Sequence, residues 1–195
     1  MTTAEIELLR DFVNTREPQL QREDLTSPAA LQDWFSAHGL VAADSDAPVD
    51  IADLRLVCSL RETLRAILHG HAGHTGPDVD QNTVAMLNAD LAKIPLHVWF
   101  DADGRPALVA QHRSSAHVVV AGLLSAVQEA IRAGTWERLK VCARDTCQWA
   151  FYDESRNRSG RWCSMAGCGN IVKMRRAHAR RSDDASRGPA TTRHP

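Results

Sequence analysis

The chain has 195 residues, 44% hydrophobic and 24% charged, a globular composition with room for one ordinary core and a small extra module. It contains no run of about 18 apolar residues, so no membrane span is expected. The acidic, amphipathic start MTTAEIELLRDF lacks the basic opening and apolar run of a secretory signal. A cytoplasmic, reducing setting is therefore expected, in which cysteines serve more often as ligands or core residues than as disulfides.

In chain order, residues 4–16 place Ile6, Leu9 and Val13 at helical spacing. Ser27-Pro28 reads as a helix start, with Ser27 as N-cap and Pro28 in the first turn, and this helix stops at Gly39. A long helix is predicted over 51–69, with Leu54, Val57, Leu60, Arg61, Leu64 and Leu68 on its stripe and Cys58 as a small core residue. The loop HGHAGHTGP ends it. His69, His71 and His74 crowd this loop, but cationic histidine is favoured after a helix C-terminus without any metal. A helix over 80–93 points Val84, Leu87 and Leu91 inward. Two extended runs then flank Asp101-Ala-Asp-Gly104, a hairpin pattern. A further helix over 114–133 should bury Val118–Val120, Leu123, Leu124, Val127 and Ile131, and stop at Gly134. The body, residues 1–138, is thus mostly helical with one β-hairpin.

The net charge of −1 hides a split. Residues 140–181 carry ten Lys/Arg against three Asp/Glu, whereas residues 1–139 carry eleven against nineteen. Either the two parts merely neutralise each other, or a basic interaction module is joined to an acidic body.

The cysteines coincide with the basic segment. Cys142-x4-Cys147 is followed after fifteen residues by Cys163-x4-Cys168. Four thiolates in two close pairs suit tetrahedral Zn²⁺, and a fully protein-filled tetrahedron is structural. Two disulfides or reduced core thiols are the alternatives, but so short a segment needs a staple to stay folded. A turn over 142–147, a strand over 148–153, a polar turn, a return strand Arg161-Trp162-Cys163 and a helix from Cys168 to about Arg181 make a treble clef. On that helix Ile171, Met174 and His178 share one side, suited to packing on the hairpin, and Lys173, Arg176 and Arg180 share the other. Arg175 and Arg181 flank them, and Arg156, Arg158 and Arg161 add charge from the polar turn. Such a cluster can neutralise phosphates and release counterions; a solvated helix face is the plainer reading. Trp149, Phe151, Tyr152 and Trp162 are expected to form the mini-core. Chelation is expected to unfold the module and spare the body. Residues 182–195 have almost no apolar content and are expected to be disordered.

The segment CARDTCQWAFYDESRNRSGRWCSMAGCGN closely resembles the CGNR zinc-finger family. DFVNT, residues 11–15, resembles the opening motif of the ABATE domain that precedes such fingers. The resemblance covers about residues 8–181. It implies a mainly bacterial, stress-linked transcription regulator, with a body that senses a small ligand and a finger over 139–181 that binds DNA and holds one zinc on Cys142, Cys147, Cys163 and Cys168. Gly169 and Asn170 match the two letters after the cysteine of the name motif, and Ile171 stands in place of its arginine. The helical-wheel position of residue 171 faces the module's core, and Lys173, Arg175 and Arg176 can supply the lost charge.

A ligand pocket in the body would draw its walls and anchors from Phe12, Asn14, Trp34, Arg61, Trp99 and His112. Asn14 and Arg61 sit on or beside apolar stripes and need partners, which a buried Arg–Asp pair or an Asn–backbone pair would equally supply. Catalysis finds no motif: no nucleophile with a neighbouring base, no phosphate loop, no metal with an open position. The expected function is a DNA-binding regulator. Its rival is a zinc module that binds RNA or protein on a non-catalytic scaffold. The sequence does not indicate an oligomeric state.

Overall fold

The computed structural model describes residues 3–41, 49–73, 81–110 and 115–186. Helix α1 (Ala4–Val13) buries Ile6, Leu9, Phe12 and Val13. It stops sooner than the apolar spacing predicts, because Thr15 Oγ1 donates to the carbonyl of Phe12 (2.8 Å) and turns the chain. A small hairpin unforeseen in the sequence follows, β1 (Arg16–Glu17) against β2 (Arg22–Glu23). The body therefore has two hairpins, not one. Helix α2 (Pro28–Ala37) starts as expected, with Ser27 Oγ accepting from the Ala30 N–H at 3.1 Å, and Gly39 follows it at φ +64°.

Helix α3 (Ile51–His71) is the spine of the body. Asp50 and Asp53 form a reciprocal capping box at its start. Val57, Leu60, Leu64 and Leu68 are buried, and so are Arg61 and Arg65 on the same stripe. Helix α4 (Gln81–Leu91) sends Leu87 into the core. Strands β3 (Leu96–Phe100) and β4 (Pro106–Ala110) form the expected hairpin, with Leu96 opposite Ala110. Its turn is held by Asp101 Oδ1, which accepts from the N–H groups of Asp103 and Arg105.

Helix α5 (Ser115–Arg132) packs on α1 with most of the predicted face, Leu124 and Val127 lying half-buried against the core, and departs from it only at the edges. Ala116, Val119, Val120, Leu123, Ala126 and Ala130 are buried, while Val118 and Ile131 are exposed. The alanines carry little weight in a hydrophobic pattern, so their burial is not read from it. Gly134 ends the helix at φ +67°.

Strands β5 (Leu139–Val141) and β6 (Ala150–Tyr152) pair antiparallel, Val141 opposite Ala150. Leu139, Val141 and Ala150 are fully buried and belong to the main core, packed beneath α1 and α3. The chain closes with a π-helical turn (Met165–Gly169) leading into α6 (Asn170–Ser186), which runs five residues past the expected end.

Candidate metal centre and nucleic-acid interface

The loop between β5 and β6 is the first metal knuckle. Cys142 leaves the ladder with its N–H still bonded to the carbonyl of Trp149 at 2.9 Å. The Arg144 carbonyl accepts from the N–H groups of Cys147 (2.7 Å) and Gln148 (3.3 Å), and Gln148 turns back at φ +51°. The hairpin of this module is thus 139–141 with 150–152. The expected return strand 161–163 is not a strand; one bond, from the Ala143 N–H to the carbonyl of Arg161 (2.9 Å), fixes it beside the knuckle.

A buried ion pair folds the segment between the knuckles. Lys140 Nζ and Asp153 Oδ2 lie 2.7 Å apart, each side chain 3% exposed. Lys140 also donates to the carbonyls of Arg158 (2.5 Å) and Gly160 (3.3 Å). Asp153 accepts from the N–H groups of Ser155 (3.0 Å) and Gly160 (2.8 Å). Burial alone would raise the Asp153 pKa, but Lys140 and Ser155 hold it well below the usual carboxylate range. Residue 160 must be glycine, since a Cβ there would lie 2.6 Å from Asp153 Oδ1. The polar turn thereby delivers Trp162 and Cys163 to the first knuckle.

Ser164 Oγ accepts from the Gly167 N–H (3.1 Å) and starts the π-helical turn that carries Cys168. A Cβ at Gly169 would press within 3.2 Å of both Trp162 and the Met165 sulfur. Close packing on the tryptophan explains the glycine that follows the last cysteine.

The four sulfurs of Cys142, Cys147, Cys163 and Cys168 lie within 4.8 Å of one another. Cys147 to Cys163 is 3.7 Å and Cys163 to Cys168 is 3.6 Å. Thiolates about 2.3 Å from a central Zn²⁺ stand about 3.8 Å apart along a tetrahedron edge, whereas a disulfide needs about 2.05 Å. The donor set therefore fits one zinc and rules out disulfides. The thiols are mutually perturbed: Cys142 is held down to about 5, chiefly by its hydrogen bond with Cys147, while that same bond pushes Cys147 up. Burial pushes Cys163 up to about 12. Negative charge on one sulfur opposes it on the others, a conflict that a dication removes. Trp149, Phe151 and Trp162 pack on this cluster; Tyr152 joins the main core instead.

All eight predicted cations, Arg156, Arg158, Arg161, Lys173, Arg175, Arg176, Arg180 and Arg181, are exposed. Arg158 meets Glu137 at 3.5 Å, and the Arg161 guanidinium lies 5.7 Å from the Trp162 ring centroid. The predicted face of α6 is corrected. Met174 is 71% exposed and Ile171 sits at 36%, while Val172 and Ala177 are the half-buried positions. Val172 rather than Ile171 meets Trp162 across a groove of about 360 Å³ that Lys173, Arg176 and Arg180 also line. The residue in place of the family arginine thus points outward, as an arginine there would.

Of the residues expected around a body pocket, Phe12, Asn14, Trp34 and Arg61 have structural partners. Phe12 is fully buried, its ring 5.5 Å from Trp34. Arg61 makes two bonds to the Glu23 carboxylate (2.6 and 2.7 Å) and one to Thr15 Oγ1. Trp99 is 59% exposed on β3, and His112 lies outside the described residues. Asn14 reaches across to the zinc module, where its amide donates to the carbonyl of Ala150 (3.0 Å) and accepts from the Ala150 N–H (2.8 Å). Arg65, overlooked in the sequence, does the same from α3. It donates to the carbonyls of Gln148 (2.7 Å), Val13 (2.5 Å) and Arg16 (3.0 Å). His71 contacts the carbonyl of Leu139 at 3.0 Å; His74 lies outside the described residues.

A mostly helical body clasping a small C-terminal finger with one structural zinc defines the class of protein. The chain belongs to the ABATE family, described as "Putative stress-induced transcription regulator", which it matches over residues 7–146. Residues 138–181 match the CGNR zinc finger. No curated protein matches the chain. Neither family description names a catalytic activity, and no helix among the described residues is long and apolar enough to cross a membrane.

Proposed function

We propose that the protein is a transcription regulator whose zinc finger binds duplex DNA through the exposed cations of α6 and of the 156–161 turn. The observation that carries this reading is the placement of those eight side chains. Two separate chain segments, joined at the four-cysteine cluster, present positive charge, and of the nearby carboxylates Asp153 is taken up by Lys140 and Glu137 meets Arg158. Cations fixed on a folded scaffold release counterions from a polyphosphate without first having to be ordered. The family description agrees with this role.

The body's part is to set the finger's orientation. Asn14, Arg65 and His71 tie α1 and α3 to Ala150, Gln148 and Leu139. A small molecule that altered the packing of α1 against α3 would be felt in the finger through those bonds. This gives the proposed ligand response a mechanical route.

The reading is tested with Arg176→Gln/Arg180→Gln in zinc-loaded full-length protein, titrated with duplex DNA over a salt series. Two lost phosphate contacts should lower the slope of log K against log salt by about 1.8. An unchanged slope and affinity would remove the helix from the interface. Tighter binding to structured RNA than to duplex would favour the rival interaction module.

A further inference from the structure

A second groove, of about 370 Å³, lies on the other side of Trp162, between the first zinc knuckle and the opening turns of α6. Arg144, Arg161, Arg175 and Arg176 line it, against a single carboxylate, Asp145. Three of these arginines belong to the exposed set already described. Arg144 does not: it sits inside the knuckle, two residues after Cys142, and is half-buried. Its Nε is shut off from solvent and has no hydrogen-bond partner among the described residues. The enclosed Nε is out of reach of an outside ligand, so Arg144 meets the groove through the rest of its half-buried side chain.

We propose that this groove is a seat for one phosphodiester of the nucleic-acid backbone, with Arg144 as its anchor. The inference rests on the reading of the finger as a DNA-binding module and adds to it a particular residue and place. Four guanidinium groups around one small cleft match the charge and the forked geometry of a phosphate. The anchor is fixed before binding. The Arg144 carbonyl accepts from Cys147 and Gln148, and the next residue back, Ala143, is bonded to the Arg161 carbonyl. Arg144 and Arg161 are therefore held at a set separation by the same backbone that positions the zinc ligands. Arg161 lies over the face of Trp162, which with Val172 gives the groove an apolar wall on which a sugar can rest. Arg176 lines both this groove and the one bordered by Lys173 and Arg180. Successive phosphates of one strand could thus be held on either side of the Trp162 ridge.

The test uses zinc-loaded full-length protein, wild type and Arg144→Gln, with a short duplex and a single strand of the same length. Zinc content and melting temperature are measured first, to show that the variant is folded. Arg144→Gln should weaken duplex binding about tenfold or more, whatever the DNA sequence, and lower the salt slope by about 0.9. Arg144→Lys, which keeps the charge but not the fork, should fall between the two. A duplex carrying a neutral methylphosphonate at the seated position should weaken wild type and not weaken Arg144→Gln further. If wild type binds duplex and Arg144→Gln binds equally well with an equal slope, the seat is wrong and the DNA-binding reading stands. If only the single strand binds, and does so through Arg144, the seat stands and the duplex reading falls. If neither binds, both fall. Should Arg144→Gln lose zinc, the methylphosphonate scan on wild type decides alone, and a flat scan overturns the seat.

Discussion

Replacing Asn14 by alanine should loosen the zinc finger from the body, although residue 14 touches neither metal nor cation. In an antiparallel ladder alternate residues turn their N–H and C=O away from the partner strand. Ala150, opposite Val141, is such a residue: the bonds from the Cys142 N–H to Trp149 and from the Asp153 N–H to Arg138 flank it. Its two backbone groups therefore face α1, where the Asn14 amide, one donor and one acceptor, meets both at 3.0 and 2.8 Å. The side chain behaves as a one-residue third strand. Both Asn14 and Ala150 are buried, so water does not readily replace the lost partner. Each orphaned group costs about 1–3 kcal/mol, and the pair about 3 kcal/mol allowing for partial relaxation. In a chain of this length that lowers the melting temperature by roughly 6–12 °C. Asn14→Asp keeps the acceptor but sets a carboxylate against the Ala150 carbonyl, and should be at least as damaging. The local reading is hydrogen exchange: the Ala150 amide should lose protection while amides in the middle of α3 keep theirs. A shift below 2 °C together with an equally protected Ala150 amide would refute the reasoning, since neither bond could then matter to the docked finger.

Two further outcomes follow from the same contacts. Stripping zinc with a chelator should unfold the chain beyond Val141 and also lower the melting temperature of the helical body, contrary to the expectation of a separable module. Leu139 and Val141 are fully buried in the main core, and burying two such side chains is worth about 3–6 kcal/mol; an unchanged melting curve for the helical signal would show that β5 stays docked without metal. The Glu23–Arg61 pair sets a pH dependence. Burial raises the Glu23 pKa, but the Arg61 hydrogen bonds outweigh it and leave the group below its ordinary 4.5. A depressed carboxylate contributes stability above its unfolded pKa and loses it as pH falls through the folded value. The urea-midpoint difference between wild type and Glu23→Gln should be constant near neutrality and shrink below about pH 4.5. Measuring both proteins at each pH cancels any shared effect of metal loss, and a difference independent of pH down to 3 would count against the pair.

What the sequence disclosed was chemistry that needs particular residue types at fixed spacing. Two Cys-x4-Cys pairs announce a tetrahedron whatever surrounds them, and Ser27-Pro28 or Asp101–Gly104 announce a cap and a turn, because these are local rules. What it concealed was decided by packing across the chain. Val118 and Ile131 look buried in the pattern of α5, yet they are exposed while Ala116, Ala126 and Ala130 are buried. A 100° wheel gives the sides of α6 but not which of them meets Trp162, and the structure exposes Ile171 and Met174. Leu139–Val141 fall within the expected finger, yet Leu139 and Val141 belong to the main core, and a run of three residues carries no periodicity to say so. Arg65 had a signal that went unused: it lies four residues after Arg61 on an apolar stripe, and a second cation there needed acceptors that α3 itself could not provide.

The position of Arg65 bears on how body and finger act together. One guanidinium joins the end of α1 at Val13, the start of β1 at Arg16 and the left-handed Gln148, and its Nε meets Glu62 at 3.3 Å. Gln148 follows Cys147 directly, so the bond to its carbonyl lies one residue from a metal ligand. A non-glycine residue at φ +51° persists where its surroundings over-determine it, and here those surroundings are the zinc on one side and Arg65 on the other. The knuckle is therefore fixed jointly by the metal and the body, and neither alone sets the angle at which Arg144 and α6 are presented. A rotation of α3 against α1 large enough to break one Arg65 bond must either carry Gln148 with it or leave a buried charge short of an acceptor. The orphaned charge would cost about 1.5–3 kcal/mol, and that penalty opposes such a rotation.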